Sequence, residues 1–405
     1  MLDKAREWDA ADPLGMFRDR FIVPDDVIYL DGNSLGCLPR ATPDAMARVV
    51  EREWGTGLIR SWNDAGWFEM GARVGAKIAP LIGAQPDEVI ATDTVSINLF
   101  KLISAALAER PGKKVIVSEP GNFPTDIYMI EGLERLGLAT QRLAPRDRLI
   151  DALGDDAALL MLTHAHYKTG DVFDMAALTK AAHEAGALVL WDLSHSTGAL
   201  PVDLNGVGAD FATGCGYKYL CGGPGAPSFA FVAQRHLAGL KQPLTGWFGH
   251  ARPFEFSDEY EAAPGIEKLQ CGTSPILGLT ALEVGVDLVA EIGVDRLYAK
   301  SRALSEFFLD CLAERGLALD LVSPPDSAQR GSQLSFRHPA AYAICQALIA
   351  RGVIGDFRAP DILRMGFAAA YLRFEDMAEA VRHLAEVLET GEWQRDEFNR
   401  RSTVT

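Results

Sequence analysis

Between about residue 70 and residue 290, short apolar runs alternate with segments of helical periodicity, and this alternation constrains the fold more than any other feature. Four apolar runs are candidate strands, at residues 115–117, 159–162, 188–191 and 229–232. Amphipathic helical patterns lie between them, for example at 125–136 and 175–185. The alternation predicts an α/β fold with a mostly parallel central sheet covered by helices on both faces. Because such sheets carry their chemistry at the carboxyl ends of the strands, functional residues are expected there.

The pattern changes near residue 290. Helices are predicted at 276–292, 294–315 and 375–388, and strands at 333–337 and 362–366, which indicates a smaller α+β lobe. A chain of 405 residues is long enough for two lobes. We therefore expect three regions. They are an N-terminal segment, 1–60, that packs on the small lobe and the active-site rim; a large domain, 61–290, that holds the central sheet; and a small C-terminal α+β domain, 291–405.

Charge and composition exclude several classes of partner. The formal net charge of −16 argues against nucleic acid and anionic membrane, since both require a basic face. No secretory signal pattern occupies residues 1–20, and no stretch approaches the roughly 20 apolar residues of a membrane span. The six cysteines are scattered without a CxxC pair, so we expect reduced thiols, a cytoplasmic location and no metal site.

Two residues on neighbouring predicted strands indicate pyridoxal phosphate (PLP) chemistry. Asp192 ends the run at 188–191, and Lys218 follows the next strand, at 210–213, in a glycine-rich loop. PLP chemistry needs a lysine that adds to the cofactor's aldehyde and a carboxylate that keeps the pyridine nitrogen protonated. Taken alone, Asp192 could cap a turn and Lys218 could be a surface lysine. Lys168 is the main rival, but it precedes Asp192 rather than following it.

A phosphate group would need a cradle of hydrogen-bond donors, and two segments could supply it. Residues 92–96 (TDTVS) precede a predicted helix at 97–108 and offer hydroxyls and free backbone N–H groups, although an ordinary helix cap reads the same way. Residues 121–126 (GNFPTD) follow the strand at 115–117. There, Phe123 could stack on a flat ring or belong to the core, and Asp126 could cap a helix or orient neighbours of the cofactor.

Seven motifs, in order along the chain, closely resemble those of the kynureninase family. They are YLDGNSLG (29–36), NFPTD (122–126), WDLSHSTGA (191–199), GYKYLCGGPG (216–225), GWFGH (246–250), GTSP (272–275) and LRMGF (363–367). The resemblance implies the aspartate aminotransferase-type architecture (fold type I) and a homodimer with a shared active site. It also implies PLP-dependent hydrolysis of L-kynurenine to anthranilate and L-alanine in the kynurenine pathway of tryptophan catabolism and NAD biosynthesis.

The resemblance also assigns roles around the cofactor, which the large domain would bind. Lys218 would form the Schiff base, Asp192 would pair with the pyridine nitrogen, and Tyr217 would touch the phosphate and assist proton transfers. The further cofactor contacts implied on the same subunit are Val95 (through its backbone N–H), Ser96, Phe123, Asp126, Thr163 and His195. Trp247 and Thr273 would reach the phosphate of the other subunit.

For the substrate, the resemblance assigns Arg364 to the carboxylate, and Asn33 and Trp62 to the aromatic end. Arg337 and Arg373 are rivals of Arg364. Thr273 stands where animal enzymes have asparagine, which favours kynurenine over 3-hydroxykynurenine, the latter being expected as a further substrate. The alternatives are another fold-type-I enzyme, such as a cysteine desulfurase or an aminotransferase, and a non-catalytic binding protein of the same fold. Full retention of Lys218, Asp192 and Arg364 argues against the last.

Overall fold

In a computed structural model, which describes residues 1–401, a seven-stranded sheet forms the centre of the larger lobe. In chain order its strands are β1 (Val89–Ala91), β2 (Val115–Ser118), β3 (Thr140–Leu143), β4 (Ala157–Thr163), β5 (Leu188–Asp192), β6 (Phe211–Gly214) and β7 (Phe229–Val232). Across the sheet they follow the order β1-β7-β6-β5-β4-β2-β3. Only β7 is antiparallel to its neighbours, so the prediction of a mostly parallel sheet is confirmed.

The α-helices are distributed along the chain between Leu2 and Thr390. In order they are α1 (Leu2–Ala11), α2 (Thr42–Arg48), α3 (Ser61–Asp64), α4 (Met70–Ile78), α5 (Val95–Glu109), α6 (Pro124–Arg135), α7 (Met175–Glu184), α8 (Gln234–Leu237), α9 (Ile276–Ile292), α10 (Val294–Glu314), α11 (Ala341–Ala350) and α12 (Phe374–Thr390). Helix α5 begins at Val95, two residues before the predicted start, because Thr94 is its N-cap and accepts from the backbone N–H of Ile97. No helix among residues 1–401 is long and apolar enough to cross a membrane.

Both faces of the central sheet are buried, as its β-branched and aliphatic sequence requires. On one face Leu159 and Leu190 pack with Leu99 and Leu102 of α5 in one apolar cluster. Alternate residues of the same strands belong to a second cluster, which extends through α4, α7 and α9 into the small lobe. The period-two alternation of a strand therefore distributes its side chains between two separate cores.

The small lobe contains a four-stranded antiparallel sheet. Its strands are β8 (Asp320–Leu321), β9 (Gln333–Arg337), β10 (Asp356–Arg358) and β11 (Ile362–Gly366), in the order β8-β9-β11-β10. The sequence predicts β9 and β11 with these bounds and misses the two shorter strands. The last four residues of the expected C-terminal domain, 402–405, lie outside the described part of the chain.

The N-terminal segment contacts the C-terminal part of the chain through strand pairing, ion pairs and hydrogen bonds. Strand residues Ile28–Tyr29 pair in parallel with Val353–Ile354. The carboxylate of Asp9, on α1, accepts from the backbone N–H groups of Phe374 and Glu375 at 2.7 and 2.9 Å. These are free N–H groups of the first turn of α12, so a residue 365 positions away caps that helix. The boundaries predicted at 60/61 and 290/291 stay predictions.

Candidate active site

A pocket opens at the sheet edge where the parallel strands end. Its walls come from the segments that follow β1, β2, β4, β5 and β6, and from the residue that precedes the antiparallel β7. It is lined by Thr94, Val95, Ser96, Phe123, Thr125, Thr163, Tyr167, Asp192, Ser194, His195, Cys215, Tyr217, Lys218, Gly225, Ala226 and Ser228. The sequence-based expectation placed chemistry at this edge, and eight of the predicted site residues line the pocket: Val95, Ser96, Phe123, Thr163, Asp192, His195, Tyr217 and Lys218.

Lys218 presents its amine to the interior of this pocket. It lies in the loop of residues 215–228 between β6 and β7, its side chain is almost fully buried, and its Nζ lies 2.9 Å from Nε2 of His195. The backbone of this loop is held by the N-terminal segment, since the N–H of Gly36 donates to the carbonyl of Tyr217 at 2.8 Å. A Cβ on Gly36 would approach the carbonyl oxygen of Lys218 to 2.2 Å, so only glycine fits there.

His195 is buried beside the lysine, and no carboxylate among the described residues bonds to its imidazole. Burial lowers the pKa of His195 well below its usual value, and the Lys218 charge lowers it further. The imidazole is therefore neutral at physiological pH. Its Nε2 faces Lys218, while its Nδ1 is buried and has no hydrogen-bond partner among the described residues. A buried polar atom without a partner is costly, so this one marks a position where a ligand atom belongs.

Two buried carboxyl groups lie behind the lysine. Asp192 is the last residue of β5, and one of its oxygens accepts from the N–H of Ser194 at 2.7 Å. Burial raises the pKa of Asp192, while the Ser194 N–H and the Lys218 ammonium oppose that shift. Burial also raises the pKa of Asp126 well above its usual value, and the Asp192 charge adds to it. Asp126 accepts from the Thr163 hydroxyl at 3.1 Å through one oxygen, and the other oxygen has no partner among the described residues.

The N-terminus of α5 forms the opposite wall. Because α5 begins at Val95, both Val95 and Ser96 lie in its first turn, where backbone N–H groups have no acceptor within the helix. The positive end of the helix dipole adds to these free donors, which makes this wall suitable for a phosphate.

Together these groups fit PLP. The pocket offers an amine at Lys218, a buried carboxylate at Asp192 that a pyridinium N–H would compensate, and helix donors at Val95 and Ser96 for the phosphate. Nδ1 of His195, a residue of the pocket wall, has no partner among the described residues and is free to bond to a polar ligand. Metal ligation has no comparable support, since residues 1–401 contain no group of three or more His, Cys, Asp or Glu placed to hold an ion.

Arg364 lies on β11 and is buried. Its guanidinium binds Asp356 through two N–H groups, with Nε at 2.8 Å from one carboxylate oxygen and Nη2 bonded to the other. It also donates to the carbonyl of Tyr167 and, at 3.0 Å, to the hydroxyl of Ser34. Arg358 binds the same Asp356 at 2.6 Å. Two guanidinium groups and one carboxylate leave a net positive charge beside Tyr167, a residue of the pocket wall.

Asn33 lies next to Arg364. In the amide orientation that satisfies both of its polar atoms, the oxygen accepts from Nε of Arg364 at 3.0 Å and the nitrogen donates to Asp31 at 3.3 Å. Burial and the charge of Asp356 raise the pKa of Asp31 to about 7. The structure therefore brings Asn33 and Arg364 together.

Six predicted residues lie outside the wall of this pocket: Asp126, Asn33 and Arg364, described above, and Trp62, Trp247 and Thr273. Trp62 packs edge-on against Trp67 and Phe248, with ring centroids 5.6 and 5.5 Å apart. Trp247 is partly exposed, and Thr273 is exposed in the loop before α9. Their predicted roles stay predictions, because the roles of Trp247 and Thr273 concern another subunit.

The rivals considered from sequence are placed elsewhere. Lys168 is not among the pocket-lining residues. Arg337 is paired with Asp320 at 3.1 Å and Arg373 with Asp376 at 2.7 Å, both on half-exposed side chains.

Sequence reasoning missed several residues of the site. Ser34 is part of the YLDGNSLG segment and bonds to Arg364, so that motif could have indicated it. Asp356 carried no signal, because its role depends on the pairing of β10 with β11, which puts it opposite Arg364. Further wall residues that were not predicted are Tyr167, Ser194, Cys215 and Ser228.

Solved structures share the fold of this chain. An apo cysteine desulfurase from Thermococcus onnurineus NA1 superposes with a TM-score of 0.79 at 19% identity, covering 93% of this chain and 98% of its own. A C-DES variant with glycine linked to its PLP cofactor gives a TM-score of 0.80 at 18% identity, covering 91% and 99%. The chain therefore has the fold of these structures, fold type I, and its lysine-centred pocket fits PLP, whereas identities this low leave the reaction open.

Sequence relatives identify the family. A family model described as the kynureninase C-terminal domain matches residues 297–384. A kynureninase of Burkholderia mallei (strain SAVP1) is 49% identical over 413 residues, covering 100% of this chain and 99% of the relative. A kynureninase of Pseudomonas fluorescens is 48% identical over 406 residues, covering 98% of each. The chain belongs to the kynureninase family.

Proposed function

We propose that this chain is a PLP-dependent kynureninase that hydrolyses L-kynurenine to anthranilate and L-alanine. The observation that carries the proposal is the buried Lys218 amine, held at 2.9 Å from a neutral His195 in a pocket that also contains Asp192 and the N-terminus of α5. Full-length identity to kynureninases supports the choice of substrate.

When bound, PLP supplies an electron sink that weakens the bonds around the substrate's Cα and makes the bond between Cβ and Cγ cleavable. Asp192 would hold the pyridine nitrogen protonated, because a buried carboxylate is stabilised by a cationic N–H donor. Val95 and Ser96 would bind the phosphate, with Asp126 and Thr163 at the cofactor's edge and Phe123 and His195 beside its ring.

Proton transfers are assigned to Lys218 and Tyr217. The Lys218 amine would remove the α-proton once the substrate is bound. Burial raises the pKa of Tyr217, and Cys215 and Asp192 add to the shift, so the phenol stays protonated and can act as a proton donor. A water adds to the side-chain carbonyl carbon and the Cβ–Cγ bond breaks. Anthranilate leaves and the bonding electron pair stays on Cβ; uptake of a proton at Cβ and return of the proton to Cα then give alanine.

Substrate binding is assigned to the residues around Arg364. One N–H of its guanidinium Nη1 remains after the bonds to Asp356, Ser34 and Tyr167, and the positive charge of the Arg358 and Arg364 pair favours the substrate carboxylate. Asn33 and Trp62 would contact the aromatic end.

A homodimer would complete the site. Trp247 lies in an exposed aromatic group, stacked at 6.2 Å on Phe256 with Phe254 alongside, and Leu58 and Ile59 are further large exposed apolar side chains. Exposed apolar side chains in such numbers are typical of an interface. We propose that a second copy covers this surface and brings Trp247 and Thr273 to the neighbouring cofactor's phosphate.

The proposal extends to cellular context. We place the protein in the cytoplasm and in the kynurenine pathway of tryptophan catabolism, leading to NAD biosynthesis, with kynurenine preferred over 3-hydroxykynurenine. A cysteine desulfurase is disfavoured because Cys311 and Cys345, two cysteines considered as its nucleophile, lie in helices and not on a loop at the pocket. Burial raises the pKa of Cys311 to about 11 and raises that of Cys345 further.

One assay tests the function. Purified protein loaded with PLP is mixed with L-kynurenine, and anthranilate fluorescence is followed, with alanine measured in parallel. Equal amounts of anthranilate and alanine are expected. L-Cysteine serves as the comparison substrate, and sulfide release without anthranilate would replace the proposal with the desulfurase alternative.

A further inference from the structure

A lysine outside the pocket wall is fully buried directly behind the phosphate-binding turn. Lys101 lies in the second turn of α5 and has no exposed surface. Its Nζ donates to a carboxylate oxygen of Asp93 and to the carbonyl of Leu269, both at 2.5 Å. A buried ammonium is retained only where its partners are well placed, since its desolvation is costly. Two hydrogen bonds therefore hold the Lys101 ammonium in place inside the protein.

Asp93, the partner of this lysine, has a left-handed backbone conformation. Asp93 has φ of +51°, in the left-handed region that non-glycine residues rarely occupy. The residue follows β1 and immediately precedes Thr94, the N-cap of α5. Its carbonyl also accepts from the N–H of Ser228 at 2.9 Å. The Lys101 bond, together with one from the Thr92 hydroxyl at 3.0 Å, therefore holds the Asp93 side chain in the turn just before Val95 and Ser96 of the pocket wall.

The second bond of Lys101 reaches another part of the site. Leu269 ends the helical turn Ile266–Leu269, four residues before Thr273. Burial raises the pKa of the Cys271 thiol, and the Lys101 ammonium opposes that shift, which places the ammonium close to this segment too. One buried cation thus ties the turn before α5 to the segment that carries Thr273.

We propose that Lys101 is a positioning residue for the cofactor's phosphate, acting through Asp93 on the first turn of α5 and through Leu269 on the segment that carries Thr273. The proposal rests on PLP binding as set out above, and specifically on its phosphate lying at this helix end. Lys101 is not among the residues that line the pocket. Its removal should loosen the phosphate cradle and leave the lysine, carboxylate and ring contacts of the pocket in place.

The test compares two forms of the cofactor. Dissociation constants of PLP and of pyridoxal, which lacks the phosphate, are measured by equilibrium dialysis against the full-length Lys101→Met variant. We expect affinity for PLP to fall by about tenfold or more, since charge-assisted phosphate contacts are lost, and affinity for pyridoxal to change less than roughly twofold. Equal losses for both compounds would show a general structural role, and unchanged PLP affinity would exclude any role; either result overturns the proposal.

Two further variants make the comparison decisive. Lys300 forms a similarly buried pair with Asp12, at 2.7 Å, away from the pocket, so Lys300→Met controls for loss of a buried ion pair. It should leave the ratio of the two dissociation constants unchanged. Asp93→Asn keeps a residue that tolerates positive φ but removes the carboxylate, and it should weaken PLP selectively as well. If Lys101→Met does not fold, this variant decides the matter. Failure of kynurenine hydrolysis would not affect the two dissociation constants, because cofactor binding is measured without substrate.

Discussion

Replacing Glu119 with glutamine should stabilise the protein relative to the unaltered chain, and this gain in stability should increase as pH rises. Glu119 directly follows β2, is 5% exposed, and has one carboxylate oxygen buried without a partner among the described residues. Burial raises the pKa of Glu119 from 4.5 to about 7, with Arg146 opposing the shift and Asp171 adding to it. The folded state therefore holds this proton more tightly than the unfolded chain does.

The sign and size of the effect on the free energy of unfolding follow from this difference in the pKa of Glu119 between the folded and unfolded states. Between pH 4.5 and 7 the folded state binds more protons at this group, so the group costs stability as pH rises, up to a plateau above pH 7. At about 1.36 kcal/mol per pKa unit, the cost is roughly 1.4 kcal/mol at pH 5.5 and roughly 3.4 kcal/mol at pH 8.5. An unfolding entropy of about 2.1 cal/mol/K per residue gives about 0.85 kcal/mol/K for the whole chain, so the change of roughly 2 kcal/mol corresponds to about 2 °C.

The assay is thermal unfolding of the PLP-loaded protein at pH 5.5 and pH 8.5. The Tm of Glu119→Gln minus the Tm of the unaltered protein should be about 2 °C larger at the higher pH, because all other titrating groups cancel in the difference. Glu131→Gln, the same change on a half-exposed helix residue paired with Arg135, should show no such trend. A difference that stays flat or falls between the two pH values would refute the reasoning about Glu119.

Three further predictions concern the site. Lys218→Ala should abolish turnover and the absorbance of bound cofactor, while Lys168→Ala should preserve both; the opposite pattern in absorbance spectra would transfer the role to Lys168. Tyr217→Phe should lower kcat by about 10²–10⁴-fold without loss of PLP, as expected for a general acid, and unchanged turnover would remove that assignment. Asp356→Asn should raise KM for L-kynurenine by about tenfold or more with a smaller effect on kcat, because Arg364 loses a bidentate partner. Steady-state kinetics decide this case, and an unaltered KM would show that Asp356 does not position the guanidinium.

The sequence predicted most of the strands that carry an uninterrupted apolar pattern, although it missed the short, buried β1. Strand β7 and helix α9 were placed with their observed bounds, since apolar residues define both. Strand β3 was missed because it is a partly exposed edge strand whose residues Thr140, Gln141 and Arg142 are polar. Edge strands bury little surface, so their sequences carry little signal.

The site was predictable where chain order determines position. Asp192 and Lys218 follow neighbouring parallel strands, so their meeting at one edge could be inferred before any coordinates. The contacts of Asp356 and Lys101 could not be inferred from the sequence, because each depends on a partner brought near by tertiary packing. That partner is Arg364 for Asp356 and Leu269 for Lys101. Periodicity reports which face a residue occupies and gives no information on what lies across from it.

The antiparallel course of β7 has a consequence for the behaviour of the lysine during turnover. Because β7 pairs in reverse with β6, Gly214 and Phe229 lie opposite each other, and the loop of residues 215–228 leaves and returns at the same sheet edge. Both ends of the segment that carries Lys218 are thus tethered beside the pocket. A short tether keeps a group at an effective concentration on the order of millimolar or more even when it is flexible, and this loop is also bonded to Gly36. The amine is therefore a permanent local reagent, available again after every product release without a search step.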